Sequence, residues 1–96
     1  MTIDELIKEG DRIISAIKSV PNALGRIDRP EDALSDEEMS NLDLWRRHVL
    51  HYLTTNECTE EYEEVDNMEC ESNMVHGGVN KLNIQKIVNI LKCLRL

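Results

Sequence analysis

The chain has 96 residues, of which 41% are apolar and 31% charged, with three aromatic side chains in all and no phenylalanine. A net charge of −8 and an isoelectric point near 4.8 exclude sequence-independent binding to nucleic acids or anionic membranes, which requires a surplus of Lys and Arg. One domain with a mostly aliphatic core is the size-appropriate expectation.

The first predicted element is a helix over about residues 3–20. Ile3, Leu6, Ile7, Ile13, Ile14, Ile17 and Val20 recur at helical spacing, Thr2 and Glu5 form a capping-box pair, and Pro21 ends the run. Gly10 falls on the apolar face, where the lack of a side chain lets another backbone approach. That makes it a candidate contact for self-association.

Residues 21–34 hold both prolines and read as a long loop. Ser35 and Glu38 then suggest a second capping box, opening a helix over about 36–54 with Met39, Leu42, Trp45, Val49, Tyr52 and Leu53 along one face. On this helix Arg46 borders the apolar stripe, where its methylenes can lie on apolar surface with the guanidinium in water. Arg47 and His51 point elsewhere and His48 sits at the stripe's edge, so this helix reads as core with solvated flanks.

A third helix is expected over about 59–72 and a fourth over about 79–95, separated by Gly77 and Gly78. The fold class is therefore all-α, a four-helix bundle-like domain with a long loop between helices 1 and 2, centred on Ile13, Ile17, Trp45, Val49, Ile87 and Leu91. Charge is segregated: residues 57–78 carry eight acids and no base, and residues 79–96 four bases and no acid. A hairpin of the last two helices would bring the opposed charges together.

Three readings of function follow. The first is a non-enzymatic, acidic protein–protein interaction module, for a protein partner or a second copy as a homodimer. Its contacts would come from Gly10 or from the apolar closing residues Leu94 and Leu96. The second is an acidic mimic of a nucleic-acid backbone, with Glu60, Glu61, Glu63 and Glu64 occupying the basic groove of a nuclease or DNA-binding protein. The third is a structural zinc site drawn from His48, His51, Cys58, Cys70 and His76, although no CxxC or HExxH spacing is present. Catalysis is not expected: the acids around Cys58 and Cys70 disfavour thiolates, and Gly77-Gly78 lacks the Lys and Ser/Thr of a phosphate loop. No cofactor is called for. The N-terminus MTIDELIKEG lacks a secretory pattern and no stretch reaches the roughly 20 apolar residues of a membrane span. Reduced cysteines and a cytoplasmic location are the expectation.

ELIKEGDRIISAIKSV, LWRRHVLHYL and VNILKCLRL together resemble a small helical domain of bacterial and phage-encoded proteins. In that domain an L-I-x-E-G helix precedes a W-x-x-x-V-L-x-Y-L helix and an I-L-K-x-L segment closes the unit. Some such domains stand first in longer, defence-associated proteins. The resemblance implies protein–protein contact and carries no catalytic residues with it.

Overall fold

The computed structural model describes residues 1–21, 31–73 and 75–96. The chain is mostly helical, with four helices and one small two-stranded sheet: α1 (Ile3–Ala16), β1 (Lys18–Val20), β2 (Glu31–Ala33), α2 (Asp36–Thr55), α3 (Thr59–Asp66) and α4 (Lys81–Arg95). α1 packs along both α2 and α4, while α3 packs on α2.

The start of α1 follows the sequence. Thr2 Oγ1 accepts from the Glu5 N–H at 3.2 Å, and Glu5 Oε1 returns by accepting from the Thr2 N–H at 3.3 Å. Its end does not. The helix stops at Ala16, because Ile17 turns extended and Lys18–Val20 pair antiparallel with Glu31–Ala33, in the register Lys18 to Ala33. Pro21 favours extended backbone at Val20, so the pairing takes over where helix was expected. The expected loop over 21–34 is thus shortened by β2, and residues 22–30 lie outside the described residues.

Helix α2 begins on Ser35, whose Oγ accepts from the Glu38 N–H at 3.2 Å. The reciprocal half of the expected capping box is replaced. Glu38 instead accepts from Arg12 Nη1 at 2.7 Å and from Asn41 Nδ2 at 2.6 Å, tying the start of α2 to α1. Arg12 is also bonded to Glu9.

The expected third helix ends six residues early, at Asp66. Residues 70–72 and 78–80 run past each other instead, with the Ser72 N–H donating to Gly78 O at 2.8 Å and the Asn80 N–H to Cys70 O at 2.8 Å. The Val79 N–H reaches Asp32 O at 3.0 Å and the Leu34 N–H reaches Gly77 O at 2.9 Å, so the loop leans on β2. Gly77 has φ +72°, and a Cβ there would lie 2.3 Å from Leu34 O. Only glycine fits both demands. Because Val79 is held in this strand-like ladder, α4 starts at Lys81, capped by Asn80 Oδ1 accepting from the Asn83 N–H at 3.1 Å.

The core is one aliphatic cluster closed around Trp45. Leu6, Ile13, Leu42, Val49, Leu53, Val65, Ile84, Ile87 and Leu91 are fully buried with it, whereas Ile17, expected at the centre, is only partly covered.

Candidate functional site

Helix α2 turns its tryptophan into the core. Trp45 is 1% exposed and its indole Nε1 donates to Leu6 O at 2.8 Å, across the α1–α2 contact. Gly10 makes that approach possible: a Cβ there would stand 2.7 Å from Trp45 Cζ2 and 2.6 Å from Val88 Cγ2. Gly10 is buried. The backbone approach it permits is therefore between helices of its own chain, and it offers no surface to a second copy.

Arg46 corrects the sequence reading as well. Its guanidinium is not left in water: Nη2 donates to the carbonyls of Asp66 at 2.8 Å, Val65 at 3.1 Å and Met68 at 3.3 Å. These are carbonyls at and just beyond the end of α3, whose last turn has no basic residue of its own. A cation at that end answers both the free carbonyls and the negative pole of the helix. Arg46 Nε is buried and has no hydrogen-bond partner among the described residues.

Beside Arg46 lies a cleft of about 380 Å³ lined in part by Asp66, Met68, Glu69, Cys70 and Glu71. Cys70 is the one nucleophile there. Burial pushes its thiol pKa up, and the nearby Arg46 only partly offsets this. The thiol form is thereby favoured, which does not suit a nucleophile.

The described residues do not gather the zinc candidates into one site. His76 Nε2 sits 2.8 Å from Asp36 Oδ1 at the first turn of α2, whereas His48 lies twelve residues further along that helix, roughly 18 Å away. Cys70 sits near Arg46. Among the described residues no group of three or more His, Cys, Asp or Glu side chains could hold a metal ion.

What remains is surface. The eight acids of 57–71 do not lie on one helix as expected. Glu60, Glu61, Glu63, Glu64 and Asp66 are on α3, while Glu57 precedes it and Glu69 and Glu71 follow in the extended segment. With each residue turned about 100° from the last, Glu60, Glu63 and Glu64 share an arc of about 100° on the side away from the buried Val65. All three are exposed and Glu61 is half-buried. Elsewhere some carboxylates find bases: Asp4 with Arg95, Glu9 and Glu38 with Arg12, Asp43 with Arg47. Among the described residues none of the eight acids of 57–71 is in an ion pair.

The hairpin of α3 and α4 that would have neutralised them is not formed, since α3 docks on α2 and α4 on α1. Of the expected closing contacts, Leu94 is half-buried and packs against the core, and Leu96 is fully exposed. Among the described residues no helix is long and apolar enough to cross a membrane. Comparison of the chain with protein-family models, curated proteins and solved structures finds no match.

Proposed function

We propose that the chain is a non-enzymatic protein-interaction module that docks a basic protein surface through the exposed acidic face of α3. The observation that carries this reading is the absence, among the described residues, of any ion pair at all eight carboxylates of 57–71, whereas Asp4, Glu9, Asp36, Glu38 and Asp43 each have one. A face of uncompensated charge raises the encounter rate with oppositely charged partners and penalises like-charged ones. The buried, hydrogen-bonded placement of Trp45 and the raised thiol pKa of Cys70 support binding over chemistry. So does the resemblance of the helix patterns to defence-associated domains.

Affinity capture with the immobilised chain, compared with a Glu60→Gln/Glu61→Gln/Glu63→Gln/Glu64→Gln variant at low and high salt, tests it. Basic proteins should be retained by the parent at low salt and lost both from the variant and at high salt. Equal capture by both baits at both salt levels would discard the reading.

The nucleic-acid-mimic reading is the sharper form of the same contact, and the shared helical face of Glu60, Glu63 and Glu64 favours it. In that case the captured proteins are displaced by added duplex DNA.

A further inference from the structure

Three of the four bases of residues 79–96 are left as uncompensated as the acids of 57–71. Arg95 is held by Asp4 at 3.4 Å, but Lys81, Lys86 and Lys92 enter no ion pair among the described residues. On α4 the exposed Leu82, Gln85, Lys86, Asn89, Lys92 and Cys93 fall within about 120° of one another around the axis, and Leu96 follows directly after the helix. The buried Ile84, Ile87 and Leu91 occupy the other side. This outward stripe meets α1 at Asp11 and Ile14 to form a shallow groove of about 320 Å³. Leu82, 60% exposed, stands at one end of the stripe and the fully exposed Leu96 at the other.

We infer that this face of α4 docks the α3 face of a second copy of the chain, in a head-to-tail contact. The inference rests on the acidic α3 face being an interaction surface, as proposed above, and names what it binds.

Charge complementarity identifies the occupant. One chain carries both halves, on helices packed against different neighbours, so the pairing that does not form within a chain is open between chains. Lys86 and Lys92 are about 9 Å apart along α4, comparable to the ~6 Å from Glu60 to Glu64 along α3. Two chains of net charge −8 repel at long range, but at about 0.1 M ionic strength charges more than ~10 Å apart are largely screened and facing patches dominate. The two surfaces differ, so the contact is heterologous and repeats into open chains or closes into a ring.

Light scattering and sedimentation across concentration test the contact. At about 0.1 M salt the average mass should rise above the 11.1 kDa of one chain with increasing concentration. At about 1 M salt, where the screening length is ~3 Å, it should return to that value. Glu60→Lys/Glu63→Lys/Glu64→Lys alone and Lys86→Glu/Lys92→Glu alone should each stay monomeric, and an equimolar mixture of the two should associate. Leu82→Ser, which leaves the charge untouched, should weaken the assembly of the parent chain. A monomer at every concentration, or assembly unaffected by either charge variant, would overturn the inference. If the chain is monomeric and the parent still captures basic proteins that the Glu→Gln variant does not, only the second copy as partner falls. If the capture fails as well, both readings fall.

Discussion

Gly10 shows how a single missing side chain orders this fold. Its hydrogen in place of a Cβ lets the indole of Trp45 lie against α1 and reach Leu6 O, while Val88 of α4 closes from the other side. Gly10→Ala would gain up to about 1 kcal/mol of helix propensity and lose roughly 1–3 kcal/mol to overpacking against a ring with little room to move. A net loss of up to about 2 kcal/mol is expected in denaturant unfolding followed by circular dichroism. Asp11→Ala, next door and exposed, should be close to neutral. The small-residue position itself was visible in the sequence, since Gly10 falls in register with Ile3, Leu6 and Ile13. Which neighbour it admits was not: a gap on an apolar face looks the same whether a partner chain or the chain's own tryptophan fills it. Arg46 was hidden for a related reason, because the carbonyls that bind it belong to backbone and have no signature in residue type.

At the scale of elements, helix starts were more legible than helix ends. Thr2, Ser35 and the apolar spacing mark where α1 and α2 begin, because capping side chains are local. α1 ends at Ala16 and α3 at Asp66 because of pairings from elsewhere: Lys18–Val20 with Glu31–Ala33, and residues 70–72 with 78–80. Neither Lys-Ser-Val nor Glu-Asp-Ala alternates in hydropathy, so these strands give no period-two signal. The carboxylates of Glu5 and Glu38, one in the cap of α1 and one tying α2 to α1, carry a pH dependence. Glu5 is held below the usual carboxylate range by its hydrogen bonds from the backbone and side chain of Thr2, and Glu38 by those from Arg12 and Asn41. A carboxylate lowered in the folded state stabilises fully above its unfolded pKa and loses that contribution as pH falls through the folded one. The parent chain should therefore have a higher Tm than Glu5→Gln/Glu38→Gln at pH 7. The two melting curves should converge as the solution is acidified below the lowered folded-state pKa values of these two carboxylates. A gap that persists in acid would show that the charge of these two carboxylates is not what stabilises the fold.

Taken as a whole, the molecule is unevenly held. Leu6, Ile7, Gly10 and Ile13 of α1, and Ile84, Ile87, Val88 and Leu91 of α4, are buried together with four residues of α2, but α3 buries only Val65. Opening energies follow buried contact, so α3 and the segment after it should exchange amide hydrogens well before the other helices. Arg46 is the clamp that limits this. In Arg46→Met the α3 amides should exchange faster, by roughly tenfold or more for the loss of charge-assisted bonds worth about 1.5–3 kcal/mol, with α1 and α4 little changed. Uniform acceleration across all helices would mean that α3 is not a separate unit. The surface that carries the proposed contacts would then share the rigidity of the core, whereas a looser α3 can adjust to what it meets.

The burial of Trp45 has one more consequence, for how the protein can be watched. The chain's lone indole is enclosed between α1 and α2 and bonded to a main-chain oxygen of α1. Its emission should be blue-shifted when α1 is seated and move to longer wavelength when α1 departs. Nature has thus placed an intrinsic optical reporter at the one junction where the first helix joins the second. Events confined to α3 should leave its colour unchanged.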